Sequence, residues 1–227
     1  MRQLFAAGLV ILLSALPSLA FSSSYDELQA SLEQHRKQMV EQHDSSLEGG
    51  ESAALEAKIL SSIEKLFDAW MGTRWGMGAP QTQTPGEGKI NCGMFVGTVL
   101  VHAGFQVNHQ KLQRQPAELI IKSFAPQKTI RRFRNKSMET FIDGVREQGA
   151  GLYILGLDNH VGFLVVEKND AVRFVHADYV SNEVVDEPAA AAAPIISSKY
   201  RVIGKILQPK MLEKWLEGDR FAVRGNW

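Results

Sequence analysis

The sequence contains a single cysteine, and the lack of a second excludes an internal disulfide. Cys92 is the one thiol among 227 residues, so the folded domain must be stabilised by packing instead of covalent cross-links. An apolar fraction of 44% is sufficient for one well-buried core. The lone thiol is therefore either a buried structural residue or a reactive group, and its surroundings must distinguish the two.

The sequence also lacks a formal net charge. Lys plus Arg and Asp plus Glu number 25 each, and this balance gives no electrostatic basis for nucleic-acid binding. The basic run at 131–136 is the local exception. It is interpreted as a solvated loop or helix face, with a patch for an anionic polymer as the alternative. The sequence predicts no nucleic-acid partner.

Long apolar runs are missing except at the start of the chain. Residues 4–16 are almost entirely apolar, but a bilayer span takes roughly 20 such residues. A short basic segment precedes the run, and Ser18, Leu19 and Ala20 follow it, which is typical of a signal-peptidase site. We predict a cleavable secretory signal over 1–20, with a membrane anchor as the alternative. The mature protein is then exported, periplasmic or extracellular, without stable membrane insertion.

Three segments with different periodicity follow the predicted signal. Residues 21–50 are rich in Ser, Gln, Glu and His and are interpreted as a helical or mobile leader before a domain over 51–227. Apolar residues recur at helical spacing over 53–71, which predicts an amphipathic helix. Residues 72–89 are dense in Gly, Pro, Thr and Gln. A loop of this length inside a compact domain is usually functional.

The period changes from helix to strand near residue 150. Before it, helices are predicted after Asn91 and over 116–124 and 137–147. After it, strands are predicted over 151–156, 160–167, 171–177 and 199–207, with a hairpin turn at 167–170 and a loop or short helical turn at 188–194. Helices followed by an antiparallel meander predict an α+β fold with helices packed on the sheet.

Cys92 lies where a loop becomes a helix whose residues are mostly apolar. The first turn of a helix presents unpaired N–H groups and the positive end of the backbone dipole, which favour thiolate over thiol. The helix itself is predicted to be buried. The sequence therefore favours a nucleophile at the N-terminus of a buried helix, and a buried structural cysteine remains the alternative.

Two histidines occupy the predicted hairpin. His160 begins one strand and His176 lies near the end of the next. A hairpin centred on residue 168 pairs them directly, with β-carbons about 5 Å apart on one sheet face. Asp178 would share that face and is the second candidate for orienting the first imidazole.

The remaining histidines carry no predicted chemistry. His102 and His109 are interpreted as structural or solvated. His35 and His43 in the leader have no carboxylate or cysteine framework around them. The sequence predicts no metal and no cofactor.

Four segments between about residues 72 and 179 together resemble the NlpC-type papain-like cysteine peptidases of bacterial cell walls. The resemblance implies a papain-like α+β fold in which a cysteine attacks a peptide or amide carbonyl, one histidine activates it and a second orients the first. By position these roles fall on Cys92, His160 and His176. The segments are Gly72-Thr73-Arg74-Trp75, the helix start at Cys92, His160-Val161-Gly162 and Phe174-Val175-His176-Ala177.

The chain also departs from the family pattern. The family commonly has Asp-Cys-Ser at the nucleophile, whereas here the cysteine lies between Asn91 and Gly93, so charge pairing with a substrate amine is lost. Trp75 stands where the family has a tyrosine, and its indole N–H can donate to an oxyanion instead. Trp75, Asn91, Gly93 and Asp178 are the candidates for substrate binding or the oxyanion.

The sequence as a whole predicts an exported, monomeric cysteine hydrolase that cleaves a peptide or amide bond. A peptide or cell-wall polymer is the expected substrate, and peptidoglycan is a candidate. Two alternatives remain: a cysteine-dependent acyltransferase or thioesterase on the same scaffold, and a non-catalytic exported binding protein.

Overall fold

The protein is an α+β domain built on a six-stranded antiparallel sheet. The structure is a computed structural model, and it describes residues 18–42 and 49–225. Most of the predicted signal peptide lies outside the described residues. Its last three residues begin the first helix, and the division into signal, leader and domain stays a prediction.

Helices precede and flank the strands in chain order. A short 3₁₀ helix, Gln127–Thr129, leads into the first strand. The helices are α1 Ser18–Gln42, α2 Gly49–Trp70, α3 Cys92–His102, α4 His109–Leu112, α5 Ala117–Phe124, α6 Met138–Arg146, α7 Ala193–Ser197 and α8 Pro209–Glu217. The strands are β1 Ile130–Arg134, β2 Gly151–Gly156, β3 Val161–Val166, β4 Val172–Asp178, β5 Glu183–Pro188 and β6 Tyr200–Lys205.

The central strands form the predicted meander. The sheet order is β1-β6-β2-β3-β4-β5, so β2 to β5 follow one another through hairpins and β6 returns to pair with β2. The four predicted strands all appear with ends shifted by at most two residues. Antiparallel order and helices on the sheet confirm the α+β prediction.

The two faces of the sheet are covered unequally. On β3, Phe163 and Val165 point into the larger apolar cluster, which includes residues of α2, α3, α5 and α8. Leu164 and Val166 point into the smaller cluster, which includes residues of α6 and α7. We call these the major and minor faces. Side chains alternate between the two faces along a strand. The parity of a residue, meaning its odd or even position along the strand, therefore decides which face its side chain points to.

Helix α3 lies inside the major face. Residues 93–100 are all buried, and Phe95 packs against Phe67, Trp70 and Phe163 at ring-centroid distances of 6.3, 6.1 and 6.0 Å. A helix that is apolar around its circumference belongs in the interior. Its rigid surroundings fix the position of its first residue, Cys92.

Helix α1 packs on the same side of the molecule. The hydroxyl of Tyr25 lies 2.9 Å from Nδ1 of His102 and accepts a hydrogen bond from the indole N–H of Trp70 at 2.8 Å. Tyr25 is 4% exposed, and burial raises its pKa well above the ordinary value. His102 therefore has a structural role, in agreement with its interpretation from the sequence.

The basic run at 131–136 was interpreted incorrectly as a loop or helix face. Its first four residues belong to β1, which pairs with β6 at the edge of the sheet. Inside this strand Phe133 points to the minor face and meets Phe141 at 5.2 Å. Charged residues are common on edge strands because they discourage pairing with other chains, and here they hide the strand from a hydrophobicity pattern.

Three further elements lacked a signal in the sequence. β5 combines three acidic residues with two adjacent valines and ends at a proline. α8 follows β6 near the end of the domain, and α4 is a single turn that begins at His109, a residue placed in a loop by the sequence. None of the helices among the described residues has the length and apolarity that a bilayer crossing needs.

Candidate active site

Cys92 is the first residue of α3, as the sequence predicts. Asn91 is the N-cap, and its side-chain oxygen accepts a hydrogen bond from the backbone N–H of Met94 at 2.9 Å. The backbone N–H groups of Val161, Gly93 and Cys92 itself lie close enough to the sulfur to lower the pKa of the thiol. The thiol is thus held between the start of α3 and the start of β3.

Burial determines the protonation state of this thiol. Removal from water raises the pKa of Cys92 above its ordinary value, although the three backbone N–H groups oppose the rise. The helix terminus favours thiolate, as the sequence predicts, but burial outweighs this effect and favours the thiol. A thiol becomes a nucleophile only when a base removes its proton.

His160, the candidate base, stands in a chain of three hydrogen-bonded side chains. Nε2 of His160 lies 2.9 Å from Nδ1 of His176, and Nε2 of His176 lies 3.0 Å from Oε1 of Glu187. An ionised carboxylate only accepts hydrogen bonds, so Nε2 of His176 donates and its Nδ1 accepts from His160. The tautomers are then fixed, and the free lone pair of His160 is on Nδ1.

The predicted register of the hairpin is wrong by two residues. Phe163 pairs with Val175 and Leu164 with Phe174, which centres the hairpin on residue 169 instead of 168. The loop consists of the three residues 168–170, and its last residue, Asp170, has a φ of +65°. This is a common three-residue hairpin geometry. His160 and His176 are consequently diagonal neighbours on adjacent strands.

The diagonal offset makes the contact possible instead of preventing it. A diagonal separation of about 7–8 Å between backbone positions matches the reach of two imidazole rings. Gly162 fills the position opposite His176, and a β-carbon there would lie 2.7 Å from the β-carbon of His176 and 2.6 Å from the Phe174 ring. Glycine therefore leaves the space in which the His176 and Phe174 rings stack at 4.0 Å.

Both histidines are neutral at ordinary pH. His160 is 3% exposed and His176 is fully buried. Burial lowers the pKa of His160 to about 4, although the Asp178 charge opposes the change. Burial also lowers the pKa of His176, and repulsion from His160 adds to this effect. A neutral His160 beside a neutral thiol is the resting arrangement of a general base and its nucleophile.

Cys92 and His160 open onto the same cleft, which has a volume of about 790 Å³. No hydrogen bond joins the sulfur to an imidazole within the described residues. The N–H group of Val161, which follows His160 directly in the chain, lies close enough to the sulfur to lower the pKa of the thiol. Cys92 and His160 therefore lie near the same end of β3. Around them the cleft is lined by Met77, Asn91, Gly93, residues 113–118, Arg134, residues 157–159, Val161, Tyr200 and Val202.

Trp75 and Asp178 are placed differently from Asn91 and Gly93. Neither Trp75 nor Asp178 lines this cleft. Trp75 packs edge-on against Tyr179, and its buried indole N–H has no partner among the described residues. Asp178 accepts the backbone N–H groups of Val180 and Ser181 at 3.0 and 2.7 Å, so it shapes a turn and does not bond to His160.

Two neighbours of the histidines were missed by the sequence analysis. Glu187 lies on β5, a strand that was not predicted, so its approach to His176 could not be foreseen. Tyr179 contacts the His160 ring edge-on at 5.4 Å, and its place directly after the predicted β4 strand was the available signal.

Comparison with known proteins gives little beyond this geometry. No protein-family model matches the chain, and no curated protein matches it. Among solved structures, the chain is similar to an N-acetylmuramoyl-L-alanine amidase from Bacteroides uniformis at 10% identity and a TM-score of 0.36, over 67% of this chain and 99% of that chain. Similarity at this level does not establish a common fold.

Proposed function

We propose that this protein is a cysteine hydrolase that cleaves a peptide or amide bond, with Cys92 as nucleophile. The observation that supports it most strongly is the hydrogen-bonded chain from Glu187 through His176 to His160, which leaves a free lone pair on the histidine beside Cys92. A buried cysteine with only a structural role needs no such chain. The same residues support membership of the NlpC-type papain-like class.

The reaction begins with proton transfer. Nδ1 of His160 takes the thiol proton as the Cys92 sulfur attacks the carbonyl carbon, and the backbone N–H of Cys92 donates to the oxyanion that forms. The imidazolium of His160 is stabilised through His176 by the negative charge of Glu187. His176 and Glu187 act as positioning residues because they do not touch the substrate.

Two proton transfers complete the cycle. His160 gives its proton to the leaving amine as the carbon–nitrogen bond breaks, and a thioester remains on Cys92. A water molecule then loses a proton to His160 and attacks the thioester carbon, which releases the carboxylic acid and returns the proton to the thiol. An exported chain with this chemistry would act on the cell wall or on peptides outside the cytoplasm, and peptidoglycan stem peptides are the candidate substrate.

The proposal is tested by product analysis with a panel of peptidoglycan fragments and peptidyl amides. We expect the wild-type protein to release an amine and a carboxylic acid, and Cys92→Ala to release neither while unfolding at the same temperature. Native Cys92 should also react with iodoacetamide, as read by intact mass. Full hydrolysis by Cys92→Ala would show that the sulfur is not the nucleophile, and an unreactive native thiol would indicate a binding protein.

A further inference from the structure

The cleft beside Cys92 contains two guanidinium groups without an anionic partner. Arg114 precedes α5 and Arg134 ends β1, and both line the cleft. Arg114 forms no hydrogen bond or ion pair with any described residue. The guanidinium of Arg134 lies 5.1 Å from the centre of the Tyr200 ring and has no bonded carboxylate in the described part of the chain.

The carboxylates of the same cleft are already engaged. Glu118 forms ion pairs with Lys122 at 2.8 Å and Arg132 at 2.6 Å and accepts the hydroxyl of Tyr200 at 2.5 Å. Its hydrogen bond with Arg132 is the largest of the effects that hold its pKa at about 2. Glu118 is therefore ionised and outweighed by its two cations.

Asp158 is the other carboxylate that lines the cleft. It accepts the Ser198 hydroxyl at 2.9 Å and the backbone N–H of Lys199 at 2.7 Å, and these bonds lower its pKa. Among the residues that line the cleft, the negative charges of Glu118 and Asp158 balance the two arginines. The excess of positive charge comes from Lys122 and Arg132, which pair with Glu118, and Asn91 and Gly93 beside the thiol add no acid.

The sheet geometry holds one of these arginines in place. Arg134 pairs with Tyr200 across the β1–β6 ladder, so its contact with the ring is a cross-strand cation–π pair. Arg132 shares its side of the strand and pairs with Glu118. Arg131 has the opposite parity, does not line the cleft and donates to the carbonyl of Lys128. The orientation of Arg134 toward the cleft therefore follows from its position in the strand.

We propose that this cleft selects substrates that carry a carboxylate, which Arg114 and Arg134 bind while Cys92 attacks the neighbouring amide. Guanidinium groups match a carboxylate with two parallel hydrogen bonds, and a free guanidinium at a partly closed surface loses less hydration than an ammonium would. The inference rests on the proposed function for the reaction, but the selectivity for charge is a separate property of the cleft.

The first experiment uses Cys92 as its own reporter. The protein is alkylated with a series of bromoacetamido-alkanoates and with the matching neutral carboxamides, and the rates are compared by intact mass. We expect the anionic reagent with the best spacer to react about tenfold faster than its neutral partner. The advantage should shrink at high salt, because screening weakens attraction between exposed charges.

Variants assign the effect to particular residues. Arg114→Gln and Arg134→Gln should each reduce the ratio of anionic to neutral rates several-fold, as expected for the loss of one charge-assisted contact. Arg134→Lys should restore part of the ratio. Arg131→Gln is the matched control on the other side of β1 and should change nothing. A ratio near unity in the wild type, or equal ratios in all variants, overturns the proposal.

The second experiment does not need a reactive thiol. Calorimetry with Cys92→Ala compares N-acetyl-Ala-Gly, which has a terminal carboxylate, N-acetyl-Ala-Glu-amide, which has a side-chain carboxylate, and neutral N-acetyl-Ala-Gly-amide. Tighter binding of either acid identifies the source of the carboxylate and supports the proposal. Equal binding of all three overturns it. If Cys92 reacts with none of the reagents but the acids still bind more tightly than the neutral amide, only the proposed hydrolase is refuted. Failure of the hydrolase proposal is therefore distinguishable from failure of the carboxylate proposal.

Discussion

The two faces of the sheet contribute different halves of the candidate site. The major face holds Cys92 on a helix buried in apolar side chains. His160, His176 and Glu187 have the parity of the minor face, where Phe174 packs in the smaller cluster. The halves meet where β3 begins, since the Val161 N–H lies close enough to the sulfur to lower the pKa of the thiol. A nucleophile needs a rigid position, and a relay needs polar side chains at diagonal positions across strands.

Burial acts on both halves in opposite chemical directions. It raises the pKa of the Cys92 thiol and lowers the pKa of His160 and His176. In each case the neutral form is favoured because a low-dielectric interior penalises charge. The thiol and the two imidazoles are therefore uncharged at rest, and they become charged only when a proton moves from one half to the other.

The largest expected effect comes from removing the base on the minor face. His160→Gln should lower kcat by about 1000-fold, within the range usual for a lost general base, and should slow alkylation of Cys92. Unfolding temperature and the helix signal should change little. His35→Gln, at a half-buried histidine of α1 that bonds to Lys58, is the control. If both variants had the same kcat, His160 would not be the base, and the minor face would contribute nothing to the chemistry of the thiol.

The second prediction concerns pH. Under the proposed mechanism, activity requires neutral His160, whose pKa burial lowers to about 4 while Asp178 opposes the change. His176 and Tyr179 are its other titratable neighbours. Because a base is lost on protonation, kcat/KM should remain constant down to about pH 5 and fall as pH approaches 4. An acid limb near the ordinary histidine pKa of about 6.5 would contradict a buried, neutral relay.

The third prediction tests the far end of the relay. Glu187→Gln removes the charge that fixes the tautomer of His176, and loss of a charge-assisted hydrogen bond of roughly 1.5–3 kcal/mol corresponds to a fall in kcat of about 10- to 100-fold. KM should be unchanged, and Glu187→Asp should recover part of the rate. Asp186→Asn, whose carboxylate binds Arg173 instead, should leave kcat at the wild-type value.

The fourth prediction compares two glycines that face opposite sides. Gly162→Ala would press on His176 and Phe174, and Gly204→Ala would press on Ile121 and Ala125 of the major face. Each should lower the free energy of unfolding by about 1–3 kcal/mol through overpacking. The Gly162 variant should in addition lose activity, because its clash displaces the relay. Equal kcat in both, measured beside their denaturation curves, would show that the position of His176 is not critical.

The smallest expected effect compares two helix caps. Asn91 caps α3 and Ser137 caps α6 through side-chain oxygens. Asn91→Ala and Ser137→Ala should each cost about 1 kcal/mol of unfolding free energy. The Asn91 variant should also change the alkylation rate of Cys92, because the first turn of α3 frays beside it. If Ser137→Ala also changed the alkylation rate of Cys92, the packing of α6 on the minor face would affect the thiol on the major face.

Elements with strong periodicity could be predicted from the sequence, and elements with mixed composition could not. The helical face from Leu55 to Trp70 has a periodicity that only a helix satisfies. β3 is a short apolar run rich in valine that ends at a turn, and this combination favours a strand. β1 and β5 carry charges on the edges of the sheet, so their hydrophobic signal is weak, and only pairing with β6 and β4 makes them strands.

The same distinction holds for the candidate site. Cys92, His160 and His176 stand out because a lone thiol at a helix start and two histidines on a predicted hairpin are unusual in composition. Glu187 is one acid among many, and its bond to His176 depends on a neighbouring strand. The prediction of a direct pair was wrong because the three-residue loop with Asp170 at positive φ shifted the register.

By itself the sequence determined the fold class, the helix that begins at Cys92 and the order of thiol and imidazoles along the chain, because these depend on local patterns of apolar and capping residues. Only the tertiary structure decided the register of the hairpin, the entry of Glu187 into the relay and the protonation of the thiol. These depend on which strands become neighbours and on how much water is excluded, and both are set by contacts between residues far apart in the chain.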